Sequence, residues 1–245
     1  MGVDSGLPDF RGPEGFWRAY PPYEPLGLRF DQIADPVHFS DDPALAWGFY
    51  GHRLRLYRAT VPHTGFAVLH RWAARVPSRV FTSNVDGQFQ RAGFDTVAGC
   101  HGSIHHLQCM VDCGQPAWSA GDLTVEVDLA TMRAVPPLPA CPSCGALARP
   151  NILMFGDVEW VPDRSAVQMR EHRDWLRAHR GAGIAAVEIG AGTAIPTVRR
   201  EAELASAASG ALVRINPREP DVRHGRGVGL AASAAATLHA LDALL

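Results

Sequence analysis

The sequence predicts an α/β fold, a doubly wound parallel sheet with a smaller inserted lobe. Three observations carry that expectation. Short β-branched runs at 79–82, 184–189 and 211–215 alternate with helical stretches, the pattern of a parallel sheet with helices on both faces. These runs end in Ser83-Asn84-Val85-Asp86, Gly190-Ala191-Gly192-Thr193 and Asn216-Pro217. Small and polar residues there suit the crevice beyond the strand ends, where open α/β sheets bind ligands. Two stretches, 13–60 and 107–150, break the alternation, the first rich in proline and aromatics, the second holding paired cysteines.

Taken in order, the chain opens on Gly2-Val3-Asp4-Ser5-Gly6-Leu7-Pro8-Asp9-Phe10-Arg11-Gly12, whose glycines and proline read as a tight loop. Asp42-Pro43 marks a helix start, Asp as cap and Pro in the first turn. Along that helix Tyr50 and Arg53, three apart, share one face. A second helix over 65–75 carries Val68, Leu69 and Trp72 and ends before Pro77. The run 79–82 reads as a buried strand. Residues 121–134 suggest a polar hairpin, and 152–155 an apolar strand leading into Gly156-Asp157. A helix over 162–179, the strands 184–189 and 211–215, and an Ala/Leu helix over 228–245 complete the reading.

Composition narrows the function. The chain has 245 residues, 47% of them hydrophobic, enough for a full core, which suits one large or two modest domains. With 23 basic against 25 acidic side chains the net charge is −2, which argues against nucleic acid as a partner. No apolar run reaches membrane-spanning length and no signal peptide is visible, so a cytoplasmic protein without a membrane partner is expected. Four of the five cysteines form two close pairs, Cys109/Cys113 and Cys141/Cys144. In a cytosolic chain such pairs point to metal rather than disulfides, and four thiolates make a closed, structural zinc site. The zinc is expected to hold a lobe too poor in apolar residues to fold alone.

His101 follows Asp86 by fifteen residues and precedes Gly102; histidine is the side chain suited to acid–base work near neutral pH. His105 and His106 are expected to face solvent. Ser83-Asn84-Val85-Asp86, then Ala92-Gly93, then His101-Gly102 together resemble the hallmark of the sirtuin (silent information regulator) family of NAD-dependent protein deacylases, which reads Gln-Asn-Ile-Asp, Ala-Gly, His-Gly. Ser83 departs from that glutamine. The stretch from Ser5 to Gly12 resembles the family's Ser-Gly-Ile-Pro-Asp-Phe-Arg-Gly loop. The cysteine pairs resemble its zinc module, and Cys144–Asp157 its Cys-Gly-Gly-x-Leu-Arg-Pro…Phe-Gly-Glu run, with Asp157 in place of Glu.

The resemblance implies a Rossmann-like sheet, NAD as co-substrate, a structural zinc, and acylated-lysine proteins or peptides as partners. It implies His101 as catalytic base, with Asn84 and Asp86 seating the nicotinamide end. The remaining NAD contacts would come from Ser5, Asp9, Phe10, Arg11, Ser83, Gly190, Gly192, Thr193 and Asn216. Substrate would meet Leu153, Phe155 and Gly156, the peptide adding as a strand. Tyr50 and Arg53 resemble the Tyr-x-x-Arg pair of the sirtuin subgroup that accepts succinyl and malonyl lysine. A mono-ADP-ribosyltransferase on the same site, or a non-catalytic NAD-binding protein, are the alternative readings. In the family a strand and Gly-Ala-Gly precede the first loop, so the comparison implies an upstream in-frame start adding roughly 20–30 residues.

Overall fold

A computed structural model describes residues 1–9, 13–223 and 226–245. The chain opens with a 3-10 turn, Gly2–Ser5. Helices α1 (Pro13–Ala19), α2 (Phe30–Ile33), α3 (Val37–Asp41), α4 (Pro43–Ala59) and α5 (Thr64–Ala73) follow. Next come β1 (Val80–Thr82), α6 (Gln88–Arg91), β2 (Val97–Gly99) and β3 (Gly102–Cys109). The short strands β4 (Trp118–Ser119), β5 (Val127–Asp128) and β6 (Arg133–Ala134) lead to β7 (Ala148–Ile152). The rest is α7 (Asp163–His179), β8 (Ala186–Ile189), α8 (Thr197–Ala205), β9 (Leu212–Ile215), β10 (Val228–Leu230) and α9 (Ala234–Asp242).

Helix α4 starts where the sequence places it. Asp42 accepts from the Leu45 amide at 3.2 Å and Pro43 fills the first position, so one orphan N–H is satisfied and the missing proline N–H costs nothing. Gly48 lets α4 lie against the strand hairpin, since a Cβ there would stand 1.9 Å from the Met132 carbonyl. Trp47, fully buried, donates from its indole to the Ala148 carbonyl at 2.9 Å.

The parallel sheet is in two pieces. One is β1–β2; the other has the order β10-β9-β8, with Glu188 opposite Arg214. No ladder among the described residues joins them, so β1 and β8 each have a partner on one side only. This is why 79–82 is half-buried rather than buried. A second correction concerns the tail: 228–230 is a strand, Val228 pairing with Val213 and Leu230 with Ile215, because the open parallel edge of β9 offers backbone partners that the sequence alone does not reveal. A third is that the strand near 152–155 runs over Ala148–Ile152 and pairs antiparallel with β3. Leu153 and Phe155 instead bond to the carbonyls of His101 and Ala34, bending the chain out of the sheet.

The apolar core is lopsided. One cluster of 22 buried residues unites the stretch 7–57 (Phe16, Tyr20, Tyr23, Trp47, Phe49) with Ile104–Met154. Beneath the three-stranded parallel piece the buried cluster, among the described residues, is Val68, Ile215 and Leu238. The cysteine-bearing lobe does not build this core by itself: the aromatic helices of 13–60 pack onto it and contribute most of the buried side chains.

Candidate active site

The site forms where strand ends from the two halves face one cavity of about 580 Å³. Asn84 and Asp86 reach it from the end of β1, His101 from the turn before β3, Leu153 and Phe155 from beyond β7, and Gly190 from beyond β8. Asp86 is buried and accepts from the Gln88 amide at 2.9 Å. Burial raises its pKa, partly offset by that amide and by Arg53 and His105. Burial lowers that of His101, which keeps the imidazole neutral and able to accept a proton near neutral pH.

Tyr50 and Arg53 meet on the cavity wall. The guanidinium donates to the Tyr57 hydroxyl at 3.0 and 2.8 Å. It lies 5.0–5.7 Å from the rings of Phe30, Phe49, Tyr50 and Tyr57, within range of cation–π attraction. Burial opposes the charge of Arg53, but Tyr57, Tyr50 and Tyr20 outweigh it and its pKa is raised. Burial pushes the Tyr50 phenol up to about 12, so the wall carries a fixed positive charge among neutral phenols. Phe155 closes against Phe30, ring to ring at 6.2 Å, and Gly156 turns the chain with φ +68°.

Other expected residues sit less directly. Ser83 and Asp9 line the cavity, and Asp9 is ion-paired to Arg218. The Ser5 hydroxyl is turned away, accepting from the His63 amide at 3.0 Å. Gly192 and Thr193 do not line the cavity; Thr193 donates from its amide, 3.2 Å, and its hydroxyl to Glu219. Asn216 is fully buried and ties two loops together: its amide donates to Ala191 at 2.9 Å and its carbonyl accepts from the amides of 218 and 219. Phe10 and Arg11 fall outside the described residues. The sequence reading missed Arg199, which donates to the carbonyls of Ala191 and Glu219 and clasps the same loops. It also misjudged His105 and His106, which are half-buried. Burial takes the His106 pKa down to about 4, with help from Arg164 and His105.

The four paired cysteines converge. Their sulfurs lie within 4.8 Å of one another, Cys109–Cys144 at 3.6 Å and Cys113–Cys141 at 3.7 Å. Zn–S bonds of about 2.3 Å in a tetrahedron put sulfurs about 3.8 Å apart. The donors fit a structural zinc ion and leave no open position. Cys100 stands apart, its thiol pushed up to about 12 by burial.

Comparison with known proteins decides the family. The sequence profile of the Sir2 family matches residues 1–176. This chain belongs to the Sir2 family. The NAD-dependent protein deacylase 2 of Pyrobaculum aerophilum is 36% identical over 180 residues, 72% of this chain and 64% of that protein. The NAD-dependent protein deacylase 1 of Archaeoglobus fulgidus is 31% identical, over 89% of this chain and 78% of that one. The crystal structure of a Sir2 homolog–NAD complex superposes with a TM-score of 0.71 at 26% identity, covering 99% of this chain and 84% of the other. As a Sir2 protein the chain has the α/β architecture read from its strands, with the cysteine module where the spacing predicts it. No helix among the described residues is long and apolar enough to cross a membrane.

Proposed function

We propose that this Sir2 protein is an NAD-dependent protein-lysine deacylase, releasing nicotinamide and O-acyl-ADP-ribose. The observation that carries it is that His101, Asp86 and the Tyr50–Arg53 pair, far apart in sequence, face one cavity. The dinucleotide fits the residues present: Gly190, at φ +70°, leaves the backbone bare at a strand end, and a buried carboxylate suits a carboxamide N–H₂. NAD supplies a ribose carbon that accepts the acyl oxygen as nicotinamide departs. Asp86 holds the carboxamide, and Asn84 seats that end of the molecule. Leu153 and Phe155 wall the acyl-lysine chain and exclude water. His101 would take the proton from a ribose hydroxyl of the bound dinucleotide and so ready that oxygen for the acyl carbon. A base so placed supplies about 10²–10⁴-fold in rate. Gly190, Gly192, Thr193 and Asn216 shape the adenosine end, Asp9 the loop over it.

The finer reading is that an acidic acyl group, succinyl or malonyl, is preferred. Its support is the charge of Arg53 on the cavity wall, beside Tyr50, since a guanidinium pairs with a carboxylate in a fork and offers nothing to a plain acetyl.

The test is purified protein with NAD and a panel of acyl-lysine peptides, reading nicotinamide and peptide mass together. Deacylation lowers peptide mass as nicotinamide appears. A gain of ADP-ribose on the peptide would make the protein a mono-ADP-ribosyltransferase instead, and neither change would make it a non-catalytic binder.

A further inference from the structure

Behind the cavity wall, β3 departs from regular pairing. Ser103 sits opposite Asn151 and Leu107 opposite Pro150, so residues 104–106 bulge out of the ladder with no partners on β7. Such bulges re-aim side chains. This one turns His105 onto the loop after β1: its Nε2 lies 3.0 Å from the Asp86 carbonyl oxygen. A carbonyl only accepts, so the ring is in the Nε2–H form and donates. The bulge holds the loop a second time through Ile104, whose amide donates to the Val85 carbonyl at 3.0 Å. His105 itself is fixed at both ends of its backbone, by the Ser103 hydroxyl at 3.2 Å and the Ala120 amide at 2.8 Å. The ring lies so close to Gly87 that a Cβ there would stand 2.7 Å from its Cδ2 and Nε2, and Gly87 is left-handed at φ +73°.

We propose that His105 is a positioning residue for dinucleotide recognition: it does not line the cavity, but its hydrogen bond to the Asp86 carbonyl sets where the Asp86 carboxylate points. The inference rests on Asp86 reading the nicotinamide carboxamide. Burial lowers the His105 pKa first of all, Arg58 on α4 and Arg164 on α7 lower it further, and the Asp86 contacts oppose them. The shift is toward the neutral ring, and because Nε2 keeps its hydrogen in the imidazolium too, the bond to the Asp86 carbonyl holds in either state.

The experiment compares His105→Phe, which keeps the ring volume and removes the donor, with His105→Gln, which keeps an N–H₂ within reach. Kd for NAD is read by calorimetry, and nicotinamide inhibition and peptide KM by steady-state kinetics. An unsatisfied buried carbonyl predicts that His105→Phe raises Kd for NAD and the nicotinamide inhibition constant about tenfold or more. Peptide KM stays, while Tm falls by about 2–12 °C, the cost of the unpaired carbonyl in the folded protein. His105→Gln should return both constants to within about threefold of wild type. Should the Phe variant be insoluble, His105→Leu takes its place with the same expectations. Asp86→Asn is the control: no change in NAD affinity there overturns the reading of Asp86, and this proposal with it. A weakened Asp86→Asn beside an unaffected His105→Phe, or equal damage in the Phe and Gln variants, overturns the role of His105 alone.

Discussion

Asp157 is the most exposing place to test the energetics of the site. Its carboxylate receives Arg149 through two bonds, both 2.8 Å, and neither side chain has any solvent exposure. The same carboxylate accepts from the Met154 amide at 3.2 Å. One group thus pins the turn that carries Leu153 and Phe155 to the cavity. Asp157→Ala strands the guanidinium in the interior, and removing one partner of a buried pair costs about 3–5 kcal/mol. For a chain of this size each kcal/mol moves Tm by about 2–4 °C, so a fall of roughly 6–20 °C is expected in a thermal melt. Peptide KM should rise with it, the turn having lost its anchor, while NAD affinity changes less. The double variant Arg149→Met/Asp157→Leu should recover a good part of the lost Tm, since two apolar side chains replace the pair without leaving a charge. A single variant melting within about 2 °C of wild type, or a double variant less stable than the single, would refute this account of the turn.

Four further outcomes follow. Zinc should be found at one atom per chain, and chelation should lower Tm and loosen the cysteine module, read by metal analysis and melting; folded protein without zinc would contradict it. His101→Ala should abolish deacylation with NAD affinity nearly intact, since the role is proton transfer, and a still-active variant would remove the base. Arg53→Met should reverse a preference for succinyl over acetyl peptides, losing roughly 2–4 kcal/mol in kcat/KM toward the acidic group; equal, unchanged rates would leave Arg53 without that role. Acid should destabilise the protein well before its carboxylates titrate. Burial depresses the pKa of His52, His63, His101, His105 and His106, so below about pH 6.5 the unfolded chain binds protons the folded one refuses. That stability is present above pH 6.5 and lost progressively toward about 4, where His106 titrates; Asp86, raised by burial, acts in the opposite sense. A Tm flat between pH 7 and 5 would count against it.

What was legible in the sequence was local and chemical. Asp42-Pro43 carries its own instruction, because cap and first turn are adjacent residues; the four cysteines announce a metal because few other arrangements use two thiol pairs. That Tyr50 and Arg53 share a face follows from the helical period; their place on an acyl pocket is what the family resemblance implies. What escaped depends on partners far along the chain. Val228–Leu230 looks like the start of an Ala/Leu helix until β9 lies beside it. His105 looks solvated because only the bulge of β3, a property of its pairing with β7, turns it onto Asp86. Arg199 and Glu219 are ordinary surface residues in sequence; their bonds join loops that meet only once β8 and β9 are neighbours. The split of the parallel sheet is likewise a matter of which edges pair.

The uneven core has a consequence for how the molecule breathes. Local opening is cheapest where few apolar groups would be exposed. With three fully buried cluster residues beneath β8–β10 against 22 around α4 and the cysteine lobe, the two halves should exchange amide protons on separate clocks. The half that carries Gly190 and Asn216 is the soft one, so a dinucleotide held there, as proposed, would do more than occupy it. Binding that half when folded and not when locally opened, it would tighten it by mass action, with the aromatic half as the rigid anvil beside it.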